Sequence, residues 1–568
     1  MDINRTILTG LLTCVYVLLA SWCVQAAELV VDVSQREGTF RNIAGGINFW
    51  GHEEAQKRFI SEIGTHLYRL KIRLHRVKRE GDGYRNFPWE GDDLALGDMK
   101  EIVRNIRVAK KRGCRVMLQI YGMPAWLSVS GDPTVVTNGL PNYAKYPPRD
   151  HDEWAKLVSA TIVRLRSLGL DDIDCYEVFG EPNVGSTWYG RKMPCRKNRN
   201  GKKLVHACKP NDLGHNTVQV LEEFFKVYEA TVKGIRQVDA DAEIGGIAVT
   251  PNPSGIWWTR FFAEYVRSRE LPLAFYSWHS YGTDESLARL LSRIGSKNIT
   301  VDWVRRFFDD RLRRRGFGEL EINRIVIDLY AYLKDLQKEN KKALSRPYTF
   351  MSDALRRILN EEGLESTKLF LTEWNVSHGV DRRHDTHYGA SFITRGLIDI
   401  TDSETRAQTL YVLSNKSLSN HDGRFWGFFG LFSLGETLDP KASFNAFRLF
   451  SMLGEGADRV KVNLSGDDVY AIAAYDGTKL SLLMTYYTMA EKPNYSLRKG
   501  VSINITGMPF SSYAYKTYRI DKTHANSYYG NEPELEVVEN GKGKGDFKRK
   551  VNLPVYGVMM IRIEGLRK

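Results

Sequence analysis

The sequence predicts an α/β protein: a (β/α)8 TIM barrel followed by an antiparallel β-sandwich. Two observations carry this. Between residues 40 and 450, eight short apolar runs alternate with helical stretches, and parallel strands need such crossover helices. Beyond residue 455 the hydrophobic period changes to two, the pattern of half-buried antiparallel strands. An open dinucleotide-binding sheet would also alternate, but no glycine-rich phosphate loop follows the first strand.

The elements follow in order. Residues 7–24 form an apolar run behind Arg5, and Val24-Gln25-Ala26 places small residues as a signal peptidase requires. Residues 1–26 therefore read as a signal peptide cut after Ala26, which predicts a secreted or periplasmic protein with no membrane span after its removal. ELVVDVS (28–34) is an early strand expected to pair with the sandwich. The barrel strands are expected in 42–50, 65–75, 115–122, 174–180, 242–249, 274–282, 368–375 and 424–433, with helices at 151–169 and 217–238 among those between them. The barrel domain then spans 27–455, interrupted at 283–346 by an arginine-rich helical insertion that could wall or cover the cleft. The sandwich spans 456–568; 469–487 reads as a hairpin turning at Asp476-Gly477, with further strands at 501–506, 534–538 and 556–565.

Charge narrows the partner. Lysine and arginine number 81 against 68 acidic residues, a net charge of +13. Such a surface favours a polyanion, and export makes nucleic acid a poor choice, leaving an anionic poly- or oligosaccharide. Cys195 and Cys208 bracket a short polar loop and are the expected disulfide. Cys114 and Cys175 each precede a strand, where a buried thiol is the plainer reading. There is no CxxC pair, so neither a zinc site nor any cofactor is expected. His378, His384 and His387, with Asp381 and Asp385 among them, match no standard ligand spacing.

Two barrel strands end in a glutamate among aromatic and amide residues: Tyr176-Glu177-Val178-Phe179-Gly180-Glu181-Pro182-Asn183 and Leu371-Thr372-Glu373-Trp374-Asn375. A carboxylate at the tip of a buried strand loses solvation and needs a partner or a task. Strands four and seven would bring the two face to face across the barrel mouth. Glycoside hydrolysis needs such a pair, one acid to protonate the leaving oxygen and one carboxylate to meet the oxocarbenium-like centre.

On these motifs the chain resembles glycoside hydrolase family 39, in the retaining clan A, whose members include β-xylosidases and α-L-iduronidases. Phe179-Gly180-Glu181-Pro182-Asn183 matches the family's Trp-Asn-Glu-Pro-Asn strand end, and Thr372-Glu373-Trp374-Asn375 its nucleophile segment. Arg73-Leu74-His75, Pro124-Ala125-Trp126, His279-Ser280-Tyr281 and residues 429–447 match its remaining signatures in order. The resemblance implies Glu373 as nucleophile and Glu181 as general acid and then base. It implies Arg73 as the cation holding Glu373 ionised, and Trp126, Trp374 and Trp426 as sugar platforms. His75, His279, Tyr281 and Asn183 would bind hydroxyls or orient the two acids.

The chain departs from the family in three ways. Gly180 replaces the asparagine that contacts the sugar 2-hydroxyl, which is expected to open room for a substituent at C2. Residues 191–210, after the acid/base strand, hold eight Lys/Arg, Arg196 and Lys197 among them, and no Asp or Glu. The interval from Glu181 to Glu373 is lengthened by the 283–346 insertion. The leading expectation is an exported retaining glycoside hydrolase acting on a sulfated or uronate-containing polysaccharide such as a carrageenan or glycosaminoglycan. A neutral-sugar β-xylosidase and a non-catalytic polysaccharide-binding barrel are the alternatives.

Overall fold

The structure, a computed structural model, describes residues 26–48, 53–64, 66–85, 103, 106–107, 109–130, 133, 135–136, 140–171, 173–184, 188, 196–197, 203–204, 218–250, 253–414, 424–434, 438–489 and 494–566. Its chain divides into two compact units, one made of 43–384 and 399–438, the other of the described part of 1–42 with 385–398 and 439–568.

The first unit is the barrel. Its strands are Gly46–Asn48, Leu67–Arg73, Arg115–Tyr121, Cys175–Val178, Glu243–Val249, Phe275–Tyr281, Lys368–Asn375 and Thr405–Gln408, each parallel to its neighbours and arranged in chain order. A parallel bridge from Ile47 to Leu410 closes the ring, and the Asn48 amide donates to the Leu410 carbonyl at 2.9 Å. Seven strands lie where the apolar runs predict them. The eighth does not: 424–433 is irregular, and the strand is the short, polar Thr405–Gln408. Its Gln408 is buried because the amide donates to the Ile43 carbonyl at 2.7 Å and accepts from the Trp374 indole at 2.5 Å.

Alternation along each strand stacks the interior into layers. Leu67, Met117, Cys175, Phe275 and Phe370 form an apolar floor, with Phe275 and Phe370 stacked at 4.6 Å. Two residues further along the second, third and fourth strands come Arg69, Gln119 and Glu177, then Lys71 and Tyr121 above. Polarity thus increases toward the C-terminal ends of the strands, where the site lies.

The surrounding helices begin where the sequence allows. Asp150 caps His151–Ser167, its carboxylate accepting from the amides of Asp152 and Glu153 at 2.9 and 3.0 Å. Val218–Arg236 packs against it so closely that a Cβ on Gly234 would lie 2.4 Å from the Ala155 carbonyl oxygen. The insertion forms helices Thr283–Ile294, Val301–Arg313, Glu319–Lys338 and Asn340–Ser345. Its arginines are largely spent on one another's neighbours: Arg313 and Arg314 pair with Asp309 and Asp310 at 2.8 and 3.2 Å. Arg260, on the barrel helix Pro253–Ser268, reaches Asp328 of the insertion at 2.7 Å, so this helix packs on the outer ring.

The second unit is a nine-stranded sheet among the described residues. The N-terminal strand Ala27–Thr39 lies within it, antiparallel to Asp458–Leu464 and parallel to Arg498–Thr506. The hairpin Val469–Tyr475/Lys479–Tyr486 turns at Asp476-Gly477 as predicted, with Gly477 at φ 90°. The strand predicted at 534–538 runs instead from Val537 to Lys544 and pairs with Ser512–Ile520, while Phe547–Pro554 is a charged edge strand with no apolar run to announce it. The boundary expected at 455 lies at 438, because helix Ala442–Ser451 belongs to this unit: Asn445 donates to the Pro533 carbonyl at 2.7 Å.

Cys114 and Cys175 are both buried. Cys195, Cys208 and the apolar run at 7–24 lie outside the described residues. No helix among the described residues is long and apolar enough to cross a membrane.

Candidate active site

The polar layer is organised around Arg69. Its side chain is almost fully buried, and three strands supply its partners. Nε and Nη2 donate to Glu177 Oε2 at 2.8 and 2.5 Å; Nη1 donates to Glu373 Oε1 at 2.8 Å and to Asn48 Oδ1 at 2.6 Å. Burial works against the guanidinium charge, but the two carboxylates hold its pKa above the ordinary arginine value. The sequence suggested Arg73 for this role. Arg69, Lys71 and Arg73 share one face of the strand, and Arg69 is the deepest, level with both acids.

Glu373 reaches the cleft through an irregularity. Phe370 points to the barrel floor, so strict alternation would turn Thr372 inward and Glu373 outward. The pairing with the sixth strand slips by one residue after Trp278–Leu371, and His279 pairs with Glu373. This bulge turns Glu373 inward. It also sends Trp374 outward, where it is wholly buried against Tyr348 at 5.5 Å; the expected sugar platform is a packing residue.

Around Glu373, Tyr281 donates its hydroxyl to Oε2 at 2.8 Å and Lys71 Nζ lies 3.5 Å from Oε1. Burial alone would raise this carboxyl's pKa. The positive charge of His279, Lys71 and Arg69, with the Arg69 hydrogen bond, instead holds it well below the ordinary carboxylate range. Tyr281, buried beside that charge, is kept a protonated donor far above the usual phenol value.

Glu181 stands opposite, its carboxylate 2.9 Å from His279 Nδ1, which is itself 3.6 Å from Glu373. One ligand-capable atom from each of Glu181, His279 and Glu373 lies within 4.8 Å of the other two. Two acids and an imidazole could hold a cation, but Arg69, Lys71 and Arg73 already fill this end of the barrel with positive charge, which opposes one. Phe179 and Glu181 both take φ 52°, a left-handed conformation unusual for side-chain-bearing residues. Neighbouring strands enforce it: the Phe179 amide donates to Ile120 at 3.0 Å, the Glu181 amide to Ala248 at 3.1 Å, and Gln119 Nε2 to the Phe179 carbonyl at 2.6 Å.

That last bond corrects the expectation for Gly180. A Cβ there would lie 2.7 Å from Gln119 Nε2, so the third strand already fills the room expected for a C2 substituent. Asn183 is also otherwise engaged: its amide donates to the Thr250 carbonyl at 2.8 Å and accepts from the Thr250 amide at 3.1 Å, clasping two loops together. Asn48 gives its amide hydrogens to the carbonyls of Thr372 and Thr409, and its oxygen accepts from Arg69.

The other predicted residues separate. His279 and Tyr281 orient the acids. His75 is buried beyond the end of the second strand, and Arg73 is half-buried at that end. Trp126 is half-buried, donating to Val77 at 2.8 Å and stacked on Tyr84. Trp426 is exposed on the segment that follows the eighth strand. Arg196-Lys197 pairs antiparallel with Lys203-Leu204 in a two-stranded ribbon; most of the basic run lies outside the described residues. The histidines after Glu373 scatter: His378 is exposed, His384 Nε2 meets Ser377 Oγ at 3.2 Å, and His387 lies among tyrosines of the sheet unit, where burial lowers its pKa to about 4. Sequence reasoning missed Arg69, Lys71, Gln119 and Glu177. Their signal was charged or amide residues on alternate positions of otherwise apolar strands.

Facing glutamates on the fourth and seventh strands of a closed barrel supply a pair of carboxylates of the kind that glycoside hydrolysis uses. No family model matches the chain. Two curated relatives are beta-xylosidases: that of Caldicellulosiruptor saccharolyticus is 21% identical over 383 residues, and that of Geobacillus stearothermophilus 23% over 395. These alignments cover 66% and 68% of this chain and 62% of each relative, so the chain spans under two thirds of their length. Among solved structures, the monomeric beta-xylosidase of Caulobacter crescentus CB15 superposes with a TM-score of 0.64 at 15% identity, over 95% of this chain and 100% of that one. The GH39 enzyme of Xanthomonas axonopodis pv. citri gives 0.62 at 14%, over 95% and 97%. The fold is therefore that of the family 39 glycoside hydrolases, and the resemblance seen in the motifs stands.

Three outcomes follow from this geometry. Arg69→Met leaves two buried carboxylates without their shared cation and should destabilise the barrel by about 3–5 kcal/mol, read by urea unfolding; a loss below about 1 kcal/mol would contradict the bridge. Because the Glu373 pKa is lower folded than unfolded, its stabilisation is complete above about pH 4.3 and lost as pH falls through the folded value. Melting curves should therefore show the gap between wild type and Glu373→Gln constant from neutrality to about pH 4.3 and narrowing only below it. Gly180→Asn should lower kcat/KM on every substrate alike, whatever its C2 group, by displacing Gln119; adding Gln119→Ser should recover part of the loss. An effect confined to C2-substituted substrates would reinstate the open-room reading.

Proposed function

We propose that the chain is an exported, retaining glycoside hydrolase acting on anionic poly- or oligosaccharides. The observation that carries the reaction type is the spacing of its acids. Glu181 and Glu373 present oxygens within 4.8 Å of each other around His279. Retention places the carboxyls about 5–5.5 Å apart, whereas inversion needs about 6.5–9.5 Å to admit a water.

The steps follow from the partners of each acid. Glu373, ionised by its cationic surroundings, attacks the anomeric carbon while the glycosidic C–O bond breaks. Glu181 gives its proton to the departing oxygen. The resulting glycosyl ester on Glu373 is opened by water, whose proton Glu181 takes as its oxygen bonds to the same carbon, restoring both acids. His279 holds Glu181 in place, and Tyr281 and Arg69 keep Glu373 aimed.

The overall excess of basic residues, the 191–210 run and the cations of the second strand support an anionic substrate. A neutral β-xylosidase is the second reading, favoured by the two curated beta-xylosidase relatives. A purely binding barrel is disfavoured by a depressed nucleophile carboxyl facing a second acid, an arrangement that binding does not require.

Glu373→Gln should abolish turnover, and Glu181→Gln should cost roughly 10²–10⁴-fold on natural glycosides, less with activated leaving groups. Proton NMR of the first product should show the substrate's anomeric configuration; inversion would reject double displacement. Incubation with charged and neutral polysaccharides, with product separation, decides the substrate.

A further inference from the structure

The second unit carries a polar cavity of its own. Its sheet has Val537–Lys544 at one end and Phe547–Pro554 at the other, although Gly545-Asp546 alone join these strands in sequence. The sheet curls until its ends face each other: the Tyr515 and Phe547 rings lie 5.4 Å apart, and the Arg549 guanidinium sits 5.6 Å over the Tyr515 ring. Inward positions of such a sheet are expected to be apolar. Ile561 and Ile563, on strand Val558–Gly565, obey and are wholly buried. Beside them the pattern breaks. Thr517 pairs with Ile561 on one side and Glu539 on the other, and Arg519 pairs with Met559, so Thr517, Arg519 and Glu539 face inward toward Arg549. Together with His524 they line a cavity of about 310 Å³, at the small end of ligand pockets.

The polar groups of this cavity are held in place but not satisfied. Arg549 Nη2 donates to Glu539, which also accepts from the Tyr515 hydroxyl at 3.3 Å. Nη1 of the same guanidinium is buried without a hydrogen-bond partner among the described residues. So is Oγ1 of Thr517, a residue only 3% exposed. Leaving such groups unmade costs stability that an apolar side chain would not. Charge is unbalanced in the same sense, since the guanidiniums of Arg519 and Arg549 share the one carboxylate of Glu539. An oxyanion answers both, accepting from Nη1 and the threonine hydroxyl and supplying the second negative charge. The cavity is larger than a bare sulfate fills, and Val538, Val551 and Met559 give it an apolar border.

We infer that this cavity is a second saccharide site, in which Arg519, Arg549 and Thr517 hold the carboxylate or sulfate of one sugar residue and the apolar border receives its ring. The sugar rests on the glycosidase reading above; the anion rests on the cavity alone.

The test is calorimetry on the full chain, at one ionic strength, with galactose, galactose 6-sulfate, glucuronate and inorganic sulfate as probes. One charged sugar should bind more tightly than galactose and than inorganic sulfate. Arg519→Met should weaken that binding roughly 10–100-fold, the value of a hydrogen bond to a charged group. Thr517→Val removes the hydroxyl and keeps the branched shape. It should weaken binding by about 3–10-fold and leave the urea midpoint unchanged or raised; a lowered midpoint would show the hydroxyl spent inside the protein and overturn its role. Turnover should match wild type in both variants, because neither residue belongs to the barrel unit. The inference is overturned if no charged probe binds at millimolar concentration, if galactose binds as well as the charged sugars, or if binding withstands both substitutions. Inorganic sulfate bound as tightly as the 6-sulfate, and lost in Arg519→Met, overturns the sugar and marks a free-anion site. The hydrolase reading fails separately, if wild type turns over no glycoside, since calorimetry needs no turnover.

Discussion

One guanidinium holds the inside of the barrel together. Arg69 reaches from the second strand to Glu177 on the fourth, Glu373 on the seventh and Asn48 on the first, all within a layer closed to water. Two carboxylates in such a place are tolerable only with the arginine between them, since removing it strands both charges in low dielectric. The strands that carry them are therefore fixed in register by electrostatics as well as by their ladders. The same bonds set the direction of Glu373, so what stabilises the barrel also aims its reacting oxygen.

The layering explains how an apolar fold can support this. Below Arg69 the side chains are aromatic and aliphatic, and above it they are ionisable. Fields are weakly screened at that boundary, so a few cations are enough to keep a buried glutamate ionised. The acid opposite gains its position differently, through backbone. Phe179 and Glu181 take a conformation they would not choose, and the box around the Phe179 ring, with Tyr121 at 5.3 Å and Trp188 at 5.2 Å, keeps them there.

Much of this was legible in the chain. Long apolar runs gave seven strands, because strands buried on both faces must be apolar. Glutamates at two strand ends stood out against that background. What could not be read depended on neighbours remote in sequence. Gly180 seemed to open space, but Gln119 fills it, some sixty residues earlier on the adjacent strand. Arg73 seemed the cation for Glu373 because its spacing to His75 fits a motif, whereas depth in the barrel selects Arg69. The eighth strand escaped notice because its burial is secured by the bonds of Gln408 rather than by apolar side chains.

The slip between the sixth and seventh strands carries a further consequence for how such a site can arise or be lost. Glu373 faces the cleft and Trp374 the helices only because the strand bulges at Thr372, the one extra residue between Leu371 and Glu373 relative to the sixth strand. A strand that kept Thr372 but ran without the bulge would turn Thr372 and the Trp374 indole to the cleft and bury the carboxylate against the helices, whereas a strand without Thr372 would set the glutamate opposite His279 by plain alternation. The identity of the inward group is thus set by the path of the strand as much as by its letters, and loss of the bulge alone would turn Glu373 away from the cleft while every functional side chain remained encoded.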